Sequence, residues 1–538
     1  MKSSKTCLAL VLHAHLPFVR HPEHKDMMEE RWLYEAITDT YLPLLRVFEK
    51  LRTDKVNYSV TISISPPLLN MLSDPLLISR YSDYLTKLEE LAEKEVKRTE
   101  WQSDFYFTAL INRKNFSELR NLFESYGRNL IAAFADLQKT GHLEIITSSA
   151  THAFLPLMSE SPESVTAQIE MAVKDYKRYF KKKPIGMWLP ECGYNPGDDA
   201  ILKHFGITYF FTDTHGITGA IPAPKHGVYE PLKTPSGVYA FGRDSLSSRQ
   251  VWSSFEGYPG DPVYREFYRD IGFDLDIEYI APYIHESGHR LNTGIKYYKI
   301  TDKNSEDKQP YNIQEALQRA ETHAKHFIEQ RILHGKHLQQ EMEQSPIIIS
   351  PYDCELFGHW WYEGPAFIYN LLKLAAARHE ELYLTTPSQY LKRNKKIQKA
   401  NLPISSWGHK GYSEVWLNDT NAWIYPHMHA AAERMTELAE KFHKPSPLQK
   451  RALNQAAREL MLLQSSDWAF IMKTGTTVEY ATKRVKDHVF RFNKLYTDLI
   501  ADSIDEAWLK TVELRDNIFP KIDYRMYRQN SKGVGLRS

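Results

Sequence analysis

Seven short apolar runs recur along the chain, and the stretches between them carry apolar residues at the helical period. The runs are CLALVL (7–12), YSVTISIS (58–65), LEIIT (143–147), IGMWL (185–189), ITYFF (207–211), GVYAF (237–241) and PIIIS (346–350). Strands that alternate with helices predict an α/β fold, a parallel sheet with crossover helices. Seven such strands favour a barrel over an open sheet. Residues 75–140 are charge-rich and helical in pattern, too long for one crossover, and predict an inserted helical subdomain. Beyond about residue 395 the strand signal stops, and residues 449–472 and 486–500 show helical spacing. The expected organisation is a catalytic barrel over 1–395 with a helical insertion at about 75–140, then an α-helical domain over 396–538 that contributes to the cleft. The final SKGVGLRS is expected to fray.

Bulk chemistry narrows the partner. Lys and Arg number 68 against 67 Asp and Glu, so no long-range field draws in nucleic acid or an anionic membrane. No run approaches the roughly 20 apolar residues of a membrane span. The first run meets histidine at once and lacks a small-residue cleavage site, which makes it a core strand and not a signal peptide. Three cysteines, Cys7, Cys192 and Cys354, are too few and too scattered for a disulfide framework or a zinc ribbon. The expected setting is soluble, reducing and cytoplasmic.

In a parallel barrel the ligand sits at the C-terminal ends of the strands. Polar residues just after each apolar run are therefore the candidates: HAHLPF, SSATHAFLPL, PECGY and PYDCELFGHWW. Glu191 and Asp353 fall at two such ends. A buried carboxylate without a partner is costly, so an acid there implies use. Two carboxylates facing one cleft suit retaining glycoside chemistry, in which one attacks the anomeric carbon and the other protonates the leaving oxygen. For either acid alone, a salt-bridged strand end is the plain structural alternative.

His13 and His15 share one face of an extended strand. That His-x-His spacing also fits a metal-dependent hydrolase, with His152 available as a further ligand but no other His or Lys after an obvious strand. Otherwise the histidines donate to sugar hydroxyls or are satisfied core groups. Trp360, Trp361, Trp407, Trp416 and Trp423 can stack on sugar rings or seal the junction with the helical domain, and two or three are expected in the cleft. Asn418 and Asp419 could bind hydroxyls. Cys192 and Cys354 each follow a candidate acid, so their thiols should point away from the cleft.

At these residues the chain resembles a known family. LHAHLPF, THAFLPL, WLPECGY, RQVWSSFEGYPGDPVYREFYRD and SPYDCELFGHWWYEGP, followed by SSWGHKGYSEVWLN and QSSDWAF, are similar in order and content to glycoside hydrolase family fifty-seven, in its 1,4-α-glucan branching group. The resemblance covers nearly the whole chain. It implies an incomplete (β/α)7 barrel with an inserted helical subdomain and an all-α C-terminal domain. By motif position it makes Glu191 the nucleophile and Asp353 the general acid and base. Arg243, Gly260, Trp407 and Asp467 would bind substrate, Trp32, Trp252 and Trp416 would line donor and acceptor subsites, and His13, His15 and His152 would surround the cleaved sugar. The implied partner is an α-glucan such as amylose or a glycogen-like chain, with no metal or other cofactor.

One departure matters. Branching members of the family carry a long mobile lid before the FGR motif, with a tyrosine that shields the covalent intermediate from water. Here residues 219–244 are short, and Tyr229 is the substitute at hand. Poor shielding would let water intercept the intermediate, so α-glucan hydrolysis or 4-α-glucan transfer by the same acids is the alternative. A catalytically silent glucan-binding protein is a third reading, which the presence of both acids disfavours. Two adjacent carboxyls resist double ionisation, and the proton is assigned to Asp353 in the free enzyme.

Overall fold

The computed structural model describes residues 5–253, 256–302 and 304–529; the SKGVGLRS tail lies outside them. Each of the seven apolar runs contains a strand: β1 (Thr6–Ala14), β2 (Val60–Ile64), β3 (Leu143–Ile146), β4 (Gly186–Met187), β5 (Tyr209–Thr212), β7 (Tyr239–Gly242) and β8 (Ile347–Asp353). Two short strands went unpredicted, β6 (Leu232–Lys233) and β9 (Leu382–Leu384), because two or three residues carry no periodicity.

β1 lies at the centre, parallel to β2 and β8 and, at its start, to β9. β2 continues to β3, while β4, β5 and β7 form a second parallel set with β6 antiparallel on β7. The two sets meet at both borders. The Trp188 N–H donates to the Thr147 carbonyl at 2.8 Å, and the Asp244 N–H to the Ile349 carbonyl at 3.0 Å. The pairings thus run β3, β2, β1, β8 in one set and β4, β5, β7, β6 in the other, with isolated backbone bonds linking the sets at each border. All nine residues of β1 are buried, which is why its sequence is an almost unbroken apolar run.

Residues 75–140 form three helices, Pro75–Arg98, Ser103–Ser125 and Leu130–Lys139. The first starts where its sequence says it should: the Asp74 carboxylate accepts the N–H groups of Leu76 and Leu77, and Pro75 opens the first turn. Its buried face packs Tyr81 edge-on against Phe123 of the second helix, ring centres 4.9 Å apart.

After β9 every described element is helical, including Ile424–Lys441, Pro447–Leu463, Ser466–Thr474 and Val478–Ile500. A buried polar network ties this region together. Arg491 pairs with Asp516 at 2.7 Å, and His488, kept neutral by burial, hydrogen-bonds Glu459 at 2.7 Å. The periodic stretch 449–472 is not one helix but two, broken at Gln464 and Ser465. The cause is tertiary: Ser465 bridges Ala153, and the Ser466 N–H donates to the His152 carbonyl at 3.0 Å. That break delivers Ser466 and Asp467 to the strand ends.

Candidate active site

β1 and β8 end side by side, with His13 and Asp353 as cross-strand partners. A cleft of about 560 Å³ opens at this end and is lined by both, together with His15, His152, Glu191, Arg243 and Asp467. Glu191 follows β4 in a tight turn over Pro190–Cys192, where its backbone is left-handed (φ 59°, ψ 24°). Cys192 is left-handed as well, at φ 50°. Such conformations cost non-glycine residues on the order of 1–3 kcal/mol each and persist only where the surroundings enforce them. Trp407 does so twice: its N–H donates to the Glu191 carbonyl at 2.9 Å, and its indole N–H to Glu191 Oε2 at 2.9 Å.

The other oxygen of Glu191 ends a chain of hydrogen bonds. The Ser466 hydroxyl donates to Oε1 at 3.0 Å. With its proton so directed, Ser466 accepts from His152 Nδ1–H at 2.9 Å, which leaves His152 Nε2 to accept from His13 Nε2–H at 2.9 Å. Both imidazoles are kept neutral, their pKa values held well below the ordinary one by burial and then by the neighbouring histidines. His15 stacks on His152 at 3.8 Å and donates Nε2–H to the Asp467 carboxylate at 3.1 Å. Burial pushes Asp467 up, but His15, His152 and the Ser465 hydroxyl together outweigh it and hold the carboxyl below its usual range.

The two acids differ in setting. Burial raises Glu191, offset in part by the Trp407 and Ser466 donors. Asp353 is held well above the ordinary carboxylate value, by burial first and then by the charges of Glu355 and Glu191, with Arg243 opposing. No described donor serves the Asp353 carboxyl. Of the two, Asp353 is thus the one biased toward its protonated form, and Glu191 the one with donors for its charged form.

Of the residues singled out from the sequence, Glu191, Asp353, His13, His15, His152, Arg243, Trp252, Trp407 and Asp467 come together in this cleft. Three of the residues to which the resemblance gave a binding role do not line it. Trp416 is buried and stacks on Phe154 at 4.3 Å. Trp32 packs edge-on against Tyr480, and Gly260 ends a short turn, Tyr258–Gly260, away from the lining. Of the five clustered tryptophans, Trp360 and Trp407 reach the cleft, whereas Trp361 and Trp416 are core residues. Asn418 caps its own loop through Glu414 and Val415. Cys192 and Cys354 are buried outside the lining, although both lie in helical turns and not in extended strand, so alternation is not the reason.

Tyr229 is not a lid. It sits in a helical turn, bonds Asp244 Oδ1 at 3.3 Å and packs edge-on against His334. The segment around it is taken up by the β6–β7 ribbon. Sequence reasoning overlooked Ser466, Glu355 and Phe470. Glu355 stands in the quoted PYDCELF motif two residues beyond Asp353, a spacing that could have exposed it. His15, His152 and Asp467 each bring a potential ligand atom within 4.8 Å of the others and are the residues here that could hold a cation. It would have to compete with the Asp467, Ser65, Ser466 and His13 bonds to the two imidazoles.

Two carboxyls of unlike surroundings, among histidines and tryptophans in one cleft, fit a glycosidase type of site. Comparison with known proteins agrees. Residues 9–405 match the model of glycosyl hydrolase family 57, and residues 427–527 that of the 1,4-alpha-glucan branching enzyme C-terminal region. The chain belongs to glycosyl hydrolase family 57. It is 32% identical to the 1,4-alpha-glucan branching enzyme TK1436 of Thermococcus kodakarensis, over 96% of this chain and 77% of that one. Among solved structures it resembles the GH57-type branching enzyme of Pyrococcus horikoshii (32% identity, TM-score 0.87, 98% of each chain). It also resembles the alpha-amylase AmyC of Thermotoga maritima (46% identity, TM-score 0.92, 98% of this chain and 99% of that one).

Trp407→Phe removes the indole donor to Glu191 and leaves the ring. A hydrogen bond to a charged group is worth about 1.5–3 kcal/mol, so kcat on amylose should fall roughly 10- to 100-fold. Loss of a donor raises the Glu191 pKa, which moves the acid limb of the pH–rate profile to higher pH. A profile that keeps its acid limb would mean that Trp407 does not support the Glu191 charge.

Proposed function

We propose that this chain is a retaining 1,4-α-glucan branching enzyme, with Glu191 as nucleophile and Asp353 as general acid and base. The single observation that carries the reading is the pair itself: two carboxyls in one cleft, with donors gathered on Glu191 and, among the described residues, none on Asp353. Glu191 attacks C1 of the glucose unit at the cut. The C1–O4 bond breaks, and the Asp353 proton passes to the leaving oxygen. In the second half an acceptor 6-hydroxyl gives its proton to Asp353, its oxygen bonds to C1, and Glu191 leaves as carboxylate. The remaining lining groups bind sugar: Arg243, whose guanidinium lies 5.6 Å from the Trp407 ring centre, with His13, His15, His152, Trp252 and Asp467.

The seven parallel strands are read as an incomplete (β/α)7 barrel, with a catalytic part over 1–395, a helical insertion at about 75–140 and an all-α part from 396 onward. The backbone bonds that link the two strand sets at both borders support that reading. Three unpaired, buried cysteines support a reducing, cytoplasmic setting.

Hydrolysis by the same acids is the second reading. Two observations favour it: Tyr229 is turned into the core, and the relative at 46% identity is described as an alpha-amylase. Incubation with amylose, following α-1,6 linkages by NMR and new reducing ends together, separates the two. Branching predicts growth of the α-1,6 signal with few reducing ends. Reducing ends without α-1,6 linkages would overturn branching in favour of hydrolysis.

A further inference from the structure

Glu355 lies two residues beyond Asp353 in the turn that ends β8, and its side chain lines the same cleft. It has no part in the two-acid mechanism, yet it is the better anchored of the neighbouring pair. Its Oε1 accepts the His15 backbone N–H at 3.1 Å and the Tyr41 hydroxyl. Both donors belong to the scaffold, at the end of β1 and in the helical turn over Ile37–Tyr41. A third carboxyl fixed this way beside an acid without described donors places a charge where no ion pair uses it.

We propose that Glu355 is a positioning residue whose anchored carboxylate, charged on the alkaline side of neutrality, keeps the proton on Asp353 there, so that Asp353 still enters the turnover as an acid. The proposal rests on the assignment of Asp353 above. The groups that face Asp353 are Glu191 from the turn after β4, Arg243 from the end of β7 and Glu355 itself; those that face Glu355 are Tyr41, His15 and the Cys354 thiol. Arg243 favours ionisation of Asp353, and the two glutamates oppose it, Glu355 more strongly than Glu191. Burial against the Tyr41 and His15 donors leaves Glu355 with a pKa of about 7. It is therefore charged on the alkaline side of neutrality, where Asp353 would lose its proton.

The arrangement also serves the second half-reaction. Once Glu191 is an ester its charge is gone, while above neutrality the charge of Glu355 remains. Asp353 then keeps a raised pKa and is a stronger base toward the acceptor hydroxyl.

The test is the pH–rate profile of Glu355→Gln on a maltooligosaccharide. Glutamine retains an oxygen for the Tyr41 and His15 donors and removes only the charge. Loss of one like charge at short range should move the alkaline limb toward acid by about one pH unit or more. Activity near pH 8 then falls about tenfold, while activity below about pH 6 stays within about threefold of the unsubstituted enzyme. Glu355→Asp should restore part of the limb. Tyr41→Phe, which removes a donor and weakens the Glu355 charge, should move it the same way as glutamine but less far. A uniform drop at every pH, with the limb unmoved in both Glu355→Gln and Tyr41→Phe, overturns the proposal. Asp353→Asn in the same assay separates the two levels. If it is inactive while the Glu355→Gln profile is unchanged, the Glu355 role alone is wrong; if it is active, the assignment of Asp353 is wrong as well.

Discussion

Glu191→Gln is expected to lower kcat on amylose by about 10⁴-fold or more, with a much smaller change in KM. The amide cannot form the glycosyl ester, and Asp467, a further carboxylate of the lining, is engaged with His15 and Ser465. Binding should survive, because the histidines, Arg243 and the tryptophans are untouched. An external nucleophile supplies the decisive readout. With an α-maltosyl fluoride and azide, the truncated Glu191→Ala variant should recover turnover and release a β-maltosyl azide, since azide enters the space vacated by the side chain and attacks from the same face. A variant within tenfold of the unsubstituted enzyme on amylose would remove Glu191 from the chemistry.

Asp353→Asn is expected to cost about 10³- to 10⁴-fold on amylose through loss of proton transfer. Its dependence on the leaving group should differ from that of Glu191→Gln. A glucan leaving group needs a proton, and fluoride does not. Formation of the ester from α-maltosyl fluoride should therefore proceed at nearly the normal rate, followed by slow release because no base activates the acceptor. Pre-steady-state kinetics would show this as a burst followed by a slow phase. Equal losses on amylose and on the fluoride, without a burst, would show that Asp353 does not carry the proton.

The strand framework was legible because strands buried on both faces leave uninterrupted apolar runs, and β1 is buried throughout. The acids were legible for the opposite reason, as charges that close such runs. The hydrogen-bond chain from His13 through His152 and Ser466 to Glu191 was not. His152 and Ser466 lie 314 residues apart, and no local pattern links a serine at a helix break to a histidine after a strand. Glu355 was in plain sight but looked like any surface acid, because its partners His15 and Tyr41 are 340 and 314 residues away. Tryptophans mislead in a different way. An indole stacks equally well on a sugar or on Phe154, and only the packing of the helical region against the strands decides that Trp416 takes the second partner.

The break at Ser465 also bears on how the protein is made. Glu191 obtains one of its donors from a residue 275 positions later, and His15 meets its carboxylate 452 positions later. Contacts of such separation form late, after the local helices and the strand pairings nearby in sequence. A nascent chain emerging from the ribosome therefore carries both acids, yet holds neither the serine that orients one nor the aspartate that fixes the histidines. An unfinished copy cannot cut the polymer around it, and competence arrives with the helices of the last third of the polypeptide.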